Sequence, residues 1–362
     1  MYKILISVLC IFSVLSGTAQ DNARSLKEAY KDYFLIGVAV NQRNISDPIQ
    51  SNLVKSEFSS MTAENDMKPV SVHPKDGVWT WERADRIANF CRQNGIKLRG
   101  HALMWHNQMC DWMFYDEQHN LVSKEILFER MRNHIHTIVN RYKDVVYCWD
   151  VFNEAIKDGP RNPNVQDQPL RESTFYKICG NDEFIRKAFL YAREADPKAL
   201  LFYNDYNECD PTKCDRICKM ISDMKAAGVP VDGIGMQGHY NIYGPSTEEI
   251  EAAVNRYAEV VDHIHMTELD VRVNTEMGGQ LQFSRNVDAT ITDQQKKMQE
   301  AKYDAIFRIM RQHADKVDCV TFWNLSDRDS WLGANNYPLL FDKEYKPKTA
   351  YYMIRDFEKK DK

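Results

Sequence analysis

Short runs of apolar, β-branched and aromatic residues recur along most of the chain. Such runs favour β-strands, because these side chains suit a buried, pleated backbone. Eight of them are predicted to be strands, at residues 33–40, 58–65, 96–105, 145–154, 199–207, 231–240, 263–271 and 319–327.

Segments with helical spacing separate most of these runs. Their apolar residues recur three and four positions apart, and Gly or Pro marks many of their ends. Helices are predicted at residues 81–95, 124–143, 182–197, 211–228, 246–260, 291–314 and 348–360. This alternation indicates parallel strands that are joined by helical crossovers.

Unusual polar and aromatic residues stand at or near the ends of the predicted strands. A doubly wound open sheet would place one crevice at a switch point, whereas a closed barrel brings all eight strand ends to one mouth. The sequence therefore predicts an α/β fold, a single-domain (β/α)8 TIM barrel. The strand-end residues are Glu64, Asn65, His101, His106, Asn153, Glu154, Asn204, Asp205, Gln237, His239, Glu268, Asp270, Trp323 and Asp327.

Composition narrows the classes of ligand. The chain has 362 residues and a formal net charge of -5 at pH 7, and its sequence pI is about 6.1. It has neither a Lys/Arg stripe nor a Gly-rich phosphate loop, which argues against a nucleic-acid partner. A neutral or weakly charged ligand is expected.

The first twenty residues have the pattern of a secretory signal peptide. Lys3 precedes an apolar stretch from Ile4 to Leu15, and the small residues Gly17 and Ala19 mark a cleavage site. We expect residues 1–19 to be removed and residues 20–362 to form the catalytic domain of an exported protein, periplasmic or secreted. A membrane anchor would need a longer apolar run, so no membrane partner is expected after cleavage.

Eight cysteines remain after this segment, and an exported protein could pair them. Only Cys209, Cys214 and Cys218 are close enough in sequence to suggest a local bridge, and the connectivity stays open. No CxxC pair is present and no His stands at ligand spacing from Cys214 and Cys218, so zinc is not expected. We expect no metal and no organic cofactor.

Two glutamates are candidates for the chemistry. Glu154 ends the fourth predicted strand and Glu268 ends the seventh, so a barrel would set them facing one another across its mouth. Carboxylates opposed across a cleft carry out glycoside hydrolysis, in which one protonates the leaving oxygen and the other attacks or stabilises the anomeric carbon. A structural salt bridge is the alternative for either residue alone.

The neighbours of the two glutamates predict different roles. Glu268 lies in "HMTELDV", where Asp270 and His239 could hold a carboxylate ionised, as a nucleophile requires. Glu154 follows Asn153 and the apolar "WDVF" run, so desolvation should raise its pKa and suit it to acid/base catalysis.

Other strand-end residues could contact sugar. His101 and His106 are more easily explained as hydroxyl donors or core residues than as metal ligands, because no third ligand is spaced with them. The indoles of Trp105, Trp323 and Trp331 could stack on sugar rings or pack in the core. A further group combines an acceptor, an amide and an ammonium that adjacent hydroxyls could use: Glu64, Asn65 and Lys68.

Seven segments together resemble the retaining endo-β-1,4-xylanases of glycoside hydrolase family 10, from about Glu28 to Phe357. They are "TAENDMK", "RGHALMWHNQ", "WDVFNEA", "LFYNDYN", "GIGMQGHY", "HMTELDV" and "TFWNLSDRDSWL". The resemblance implies an eight-fold barrel that acts on xylan or xylo-oligosaccharides, with Glu154 as acid/base and Glu268 as nucleophile. Departures from the family's usual residues occur at Asp66, Cys110 and Asn324.

The resemblance also implies roles around the two glutamates. Asn153 and Gln237 would lie near the sugar at the cleavage point, and His239 would support the nucleophile. Further residues would shape the same pocket or hold the next sugar on the glycone side: His101, Trp105, Trp323 and Trp331, then Glu64, Asn65 and Lys68.

Two alternatives remain open at this stage. A β-1,4-glucanase on a similar barrel would use the same two carboxylates, and a catalytically inactive polysaccharide-binding protein could retain the fold. The extra hydroxymethyl group of glucose separates the first alternative, because Trp323 and Trp331 are expected to close over the space it needs. Retention of both glutamates argues against the inactive polysaccharide-binding protein.

We also expect the protein to be a monomer.

Overall fold

Eight parallel strands close into a barrel in the computed structural model, which describes residues 24–159, 168–273 and 291–357. The barrel strands are β1 (Leu35–Val40), β2 (Ser60–Ala63), β3 (Lys97–Gly100), β4 (Val146–Asn153), β5 (Leu200–Asp205), β6 (Gly233–Met236), β7 (His263–Arg272) and β8 (Val317–Phe322). Closure occurs at β8, where Cys319 pairs with Leu35 of β1 and with His265 of β7. The predicted (β/α)8 barrel is confirmed.

Helices follow the strands around the outside of the barrel. In the described ranges they cover Leu26–Ala29, Gln42–Ser46, Pro48–Glu57, Pro69–Val72, Glu82–Asn94, Lys124–Tyr142, Thr174–Cys179, Glu183–Ala195, Pro211–Ala226, Thr247–Ala258, Asp293–Gln312 and Thr349–Arg355. All seven predicted helices are present. The described residues also include two 3-10 helices, at Asp111–Met113 and Ala334–Asn336.

Neither helix of the first crossover, Gln42–Ser46 or Pro48–Glu57, was predicted from the sequence. Pro48–Glu57 begins with a proline, and the Asp47 side chain accepts hydrogen bonds from the amides of Ile49 and Gln50, both at 3.0 Å. Ile49 is 68% exposed, whereas Gln50 is buried. Because an apolar residue faces water and a polar one faces the core, the helical pattern is weak.

Three predicted strands differ in detail from the structure. Residues 96–105 and 231–240 each divide into a barrel strand and a two- or three-residue extension, Met104–Trp105 and His239–Asn241. The placement of Glu268 at the end of β7 was wrong, since β7 continues to Arg272. In the extension His239–Asn241, His239 pairs with Asp270 and Asn241 pairs with Arg272 of β7. The end of β7 therefore has a paired neighbour beyond the barrel.

The sulfur chemistry of the described residues is simple. All eight cysteines that follow the predicted leader are free thiols here, and seven of them are buried. A local bridge among Cys209, Cys214 and Cys218 is therefore absent from this structure.

The predicted leader, residues 1–19, lies outside the described residues. No helix in the described ranges is long and apolar enough to cross a membrane.

A buried pair of histidines supports the loop after β2. The Nδ1 atoms of His73 and His134 lie 3.1 Å apart, and both rings are fully buried. His73 also stacks on Trp79 with ring centroids 3.6 Å apart, and its carbonyl accepts the indole N–H of Trp112 at 2.9 Å. This loop begins with Glu64, so the pair helps to position one wall of the barrel mouth.

The histidine pair predicts a loss of stability in acid. Burial lowers the pKa of His73 from 6.5 to about 4, against the opposing charge of Asp76, and burial lowers that of His134 to about 3. The unfolded chain therefore binds protons first, so the free energy of unfolding falls as the pH drops from 6.5 towards 4. We expect a loss of about 2 kcal/mol or more between pH 7 and pH 4.5.

Urea unfolding at several pH values measures this effect. The double variant His73→Phe/His134→Leu removes both titrating rings and should show a shallower dependence on pH than the wild type in this window. Equal slopes for the two proteins would contradict the prediction.

Candidate active site

One cleft at the carboxyl ends of the strands collects nearly all of the predicted site residues. It has a volume of about 1260 Å³. Asp270 lies behind it, and His106, a predicted hydroxyl donor or core residue, is not among the described lining residues. The predicted residues in the lining are Glu64, Asn65, Lys68, His101, Trp105, Asn153, Glu154, Gln237, His239, Glu268, Trp323 and Trp331.

Glu154 directly follows β4, where the chain turns sharply. Its φ is +58°, in the left-handed region, and its amide donates to the carbonyl of Asn204 at 2.9 Å. Neutral donors meet its carboxylate: Trp105 Nε1 at 2.9 Å on Oε2, and Gln237 Nε2 at 2.9 Å and Asn153 Nδ2 at 3.0 Å on Oε1. The side chain is thus held in one orientation.

Burial raises the pKa of Glu154 above its ordinary value of 4.5. The charges of Asp205 and Glu268 act in the same direction, while the hydrogen bonds from Gln237 and Trp105 oppose them. This is the direction that the apolar neighbours of Glu154 predict. A carboxyl in this setting can keep a proton that it would lose in water.

Glu268 is buried but electrostatically different. His239 Nε2 lies 3.2 Å from Oε2, and Asn204 Nδ2 donates to Oε1 at 2.9 Å. Burial opposes ionisation, but the His239 hydrogen bond, the charges of His101 and His239, and the Asn204 amide overcome it and lower the pKa to about 2. Glu268 is therefore an ionised carboxylate at neutral pH.

His239 connects Glu268 to Asp270 behind the cleft. Its Nδ1 lies 2.9 Å from Asp270 Oδ2, which also accepts the indole N–H of Trp331 at 2.9 Å. Burial disfavours the charged ring, but the charges and hydrogen bonds of Asp270 and Glu268 raise the pKa of His239 to about 10. His239 is then an imidazolium that donates from both nitrogens.

Asn204 links the two glutamates from β5. Its Nδ2 donates to Glu268 Oε1 and to Asn153 Oδ1, both at 2.9 Å, and Thr267 Oγ1 donates to its Oδ1 at 2.7 Å. Gly235 makes room for this side chain, because a Cβ atom there would lie 2.1 Å from Asn204 Oδ1. The orientation of Asn204 is thus fixed by three strands.

A polar group from the loop after β2 forms one wall of the cleft. Lys68 Nζ donates to Asn65 Oδ1 at 2.9 Å and lies 5.0 Å from the centre of the Trp105 ring. Burial raises the pKa of Glu64, against a hydrogen bond with Asn324 and the charge of Lys68. This wall therefore presents an acceptor, an amide and an ammonium side by side.

His101 is held from inside the barrel. Its Nδ1 lies 2.7 Å from Asp150 Oδ2, and the other oxygen of Asp150 pairs with the fully buried Arg99. The Trp323 ring lies edge-on to His101, with centroids 5.4 Å apart. These contacts fix His101 and Trp323 at the floor of the cleft.

Sequence reasoning named several residues only in part. Asn204 appeared as a strand-end residue without a site role, and Asp150 was not singled out. A signal existed for Asp150, because a charged residue between Trp149 and Val151 in a buried strand needs a partner. Trp149 is fully buried, as expected of a core residue.

The described residues contain no group of three His, Cys, Asp or Glu side chains arranged to hold a metal ion. In the cleft, Glu268 supplies an ionised carboxylate and Glu154 a carboxyl whose pKa is raised. This pairing supports proton donation from one side of a bond and nucleophilic attack from the other.

Known proteins are similar to this chain over most of its length. An endo-1,4-β-xylanase/feruloyl esterase of Xylanibacter ruminicola is 54% identical over 371 aligned positions, which are 99% of this chain and 51% of that relative. The chain thus spans about half the length of this relative. Endo-1,4-β-xylanase B of Paenibacillus barcinonensis is 40% identical and covers 91% of this chain and 97% of its own length.

A solved structure matches the fold as a whole. A psychrophilic glycoside hydrolase family 10 endo-β-1,4-xylanase superposes with a TM-score of 0.87 at 57% identity, over 92% of this chain and 99% of that one. The family model for glycosyl hydrolase family 10 matches residues 25–357 of this chain. The chain belongs to glycosyl hydrolase family 10.

Proposed function

We propose that this protein is a retaining endo-β-1,4-xylanase that hydrolyses internal β-1,4-xylosidic bonds of xylan. The observation that carries the proposal is the pair of buried glutamates in one cleft, with the pKa of Glu154 raised and that of Glu268 lowered to about 2. Membership of the family and the xylanase names of the relatives above support the choice of substrate.

In the first step, Glu268 attacks the anomeric carbon and Glu154 protonates the leaving oxygen. The bond from the anomeric carbon to that oxygen breaks as the bond to the Glu268 carboxylate forms, which gives a covalent glycosyl-enzyme. The opposite pKa shifts suit these roles, because the nucleophile must be ionised while the acid still holds its proton.

In the second step, water replaces the nucleophile. Glu154, now ionised, takes a proton from the water while the water oxygen attacks the anomeric carbon. Glu268 leaves as a carboxylate. Two inversions restore the β configuration. This outcome requires the two carboxyl groups to lie about 5 to 5.5 Å apart.

Polar neighbours should stabilise the transition state. Asn153 lies between Glu154 and Asn204 in the hydrogen-bond network, where its amide could contact the 2-hydroxyl of the sugar. Such a contact strengthens as positive charge develops on the ring. The imidazolium of His239 would compensate the carboxylate of Glu268 each time it is released.

The remaining cleft residues are assigned to sugar binding. Gln237, His101 and Trp105 would contact the sugar at the cleavage point, and Trp323 and Trp331 would close over the space that a hydroxymethyl group would need. The residues proposed to hold the next sugar on the glycone side are Glu64, Asn65 and Lys68.

The processing of the chain is also a proposal. We infer that residues 1–19 are a cleaved signal peptide, that residues 20–362 are the exported enzyme, and that it acts as a monomer without a cofactor. The pattern of charge, apolar run and small residues at the start of the sequence supports export.

Substitution of the two glutamates should separate their roles. Glu268→Ala should lose about 10⁴-fold or more in kcat/KM on every substrate, because no covalent intermediate can form. Glu154→Ala should lose about 10²- to 10⁴-fold on xylo-oligosaccharides but much less on 2,4-dinitrophenyl β-xylobioside, whose leaving group needs little acid help. Initial rates with both substrates measure this.

A matched control comes from Glu208, another fully buried glutamate, which contacts Gly238 and Tyr240 and is absent from the described lining of the cleft. Glu208→Gln keeps the shape of the side chain and should not discriminate between the two substrates. Equal, complete loss with the activated substrate in Glu154→Ala and Glu268→Ala would contradict the assignment.

The stereochemistry of the first product provides a second prediction. Hydrolysis of xylohexaose followed by proton NMR should show the β anomer first, with the α anomer appearing only as mutarotation proceeds. Initial release of the α anomer would mean inversion and would exclude a covalent intermediate on Glu268.

Substrate preference provides a third prediction. We expect kcat/KM for xylohexaose to exceed that for cellohexaose by about 100-fold or more, since a steric clash with an added group costs several kcal/mol. Measured product release from both oligomers tests this. Faster cleavage of the glucose series would favour the β-1,4-glucanase alternative, and binding without cleavage would favour an inactive polysaccharide-binding protein.

A further inference from the structure

The N–H groups of the two peptide bonds after Glu154 both donate to a single hydroxyl. Tyr203 Oη accepts hydrogen bonds from the amides of Ala155 at 2.9 Å and Ile156 at 3.0 Å. Glu154 itself has a φ of +58°, a conformation that is uncommon for a residue with a side chain. Tyr203 is thus the shared partner of the two N–H groups that follow Glu154, while the carbonyls of Glu154 and Ala155 accept from Arg171.

The Tyr203 hydroxyl uses its full hydrogen-bonding capacity. A hydroxyl has one hydrogen to donate and two lone pairs to accept with, and the two amides occupy both lone pairs. Its hydrogen goes to Oδ2 of Asp205. Both side chains are fully buried, so no solvent is at hand to replace any of these bonds.

Asp205 is fixed in turn from the other side. Its Oδ1 accepts from Lys213 Nζ and from the amide of Tyr206, both at 2.9 Å. Lys213 carries a second ion pair, to Asp158 at 2.8 Å. The orientation of the Tyr203 hydroxyl therefore follows from a set of paired charges.

These two residues act from outside the cleft. Asn204 projects from the opposite face of β5 and contacts Asn153 and Glu268. Neither Tyr203 nor Asp205 belongs to the described lining of the cleft. Any effect on the reaction must pass through the backbone that carries Glu154, or through the charge of Asp205.

We propose that Tyr203 and Asp205 are positioning residues for the proton donor: Tyr203 holds the turn that aims the Glu154 carboxyl, and Asp205 orients Tyr203. The proposal rests on the role proposed for Glu154. The charge of Asp205 gives it a second effect, because after burial it contributes most to raising the pKa of Glu154. Positioning and proton affinity would then depend on the same buried aspartate.

The variant Tyr203→Phe tests the positioning. It keeps the ring but leaves the amides of Ala155 and Ile156 unpaired. We expect kcat/KM to fall about 10-fold or more on xylo-oligosaccharides and by less than about 3-fold on 2,4-dinitrophenyl β-xylobioside, because only the first needs the acid. The parameter kcat/KM is used because it reports the glycosylation step.

Tyr30→Phe is the matched control. Tyr30 is also fully buried, and its hydroxyl donates to the carbonyl of Ile354 at 2.6 Å, beside the amino end of β1 and away from the cleft. It should not discriminate between the two substrates. Equal losses on both substrates in Tyr203→Phe, or no loss, would overturn the proposal.

Asp205→Asn tests the second part of the proposal, the effect of the Asp205 charge. The amide oxygen can still accept from Tyr203, but the charge is gone, so the pKa of Glu154 should fall. The alkaline limb of the kcat/KM profile on xylo-oligosaccharides should then move to lower pH by about half a unit or more. An unmoved limb would overturn the effect assigned to the Asp205 charge.

Glu154→Ala, measured in the same series, separates this proposal from the proposed function. If Glu154→Ala spares the activated substrate while Tyr203→Phe matches the control, only the positioning proposal fails. If Glu154→Ala loses both substrates equally, the role of Glu154 itself fails.

Discussion

Two carboxyl groups buried in one cleft impose the constraint on which the rest of the site depends. Two buried carboxylates in the same cleft repel each other, so the ionisation of both is unfavourable. The groups around each one determine which of them keeps a proton. Neutral donors from Trp105, Gln237 and Asn153 surround Glu154. An imidazolium, His239, meets Glu268. Their pKa values move in opposite directions because the partners differ in charge.

This division of partners is possible because parallel strands end side by side. The Asn204 amide reaches Asn153 on one neighbouring strand and Glu268 farther round the barrel, and Gly235 leaves the space that it occupies. Each contact joins residues that are far apart in sequence. The register of the strands therefore matters more to the site than the length of any one of them.

The two faces of β5 contact different parts of the structure around Glu154. Asn204 lies in the hydrogen-bond network of the cleft, whereas Tyr203 and Asp205 hold the peptide groups that follow Glu154. Buried charges in this region are paired, as in Lys213 with Asp205, because an isolated buried ion would be costly. Paired polar residues outside the cleft thus contact the turn that carries Glu154.

By itself the sequence determined the barrel, because alternating apolar periods are properties of neighbouring residues, and it predicted that Glu154 and Glu268 lie in one cleft because a barrel brings its strands to one mouth. It missed the helix Pro48–Glu57, where Ile49 faces water and Gln50 faces the core. Only the tertiary structure decided the bridging role of Asn204 and the contact of Tyr203 with the turn after Glu154. These are contacts between residues about fifty positions apart, and local pattern contains no information about the register that brings them together.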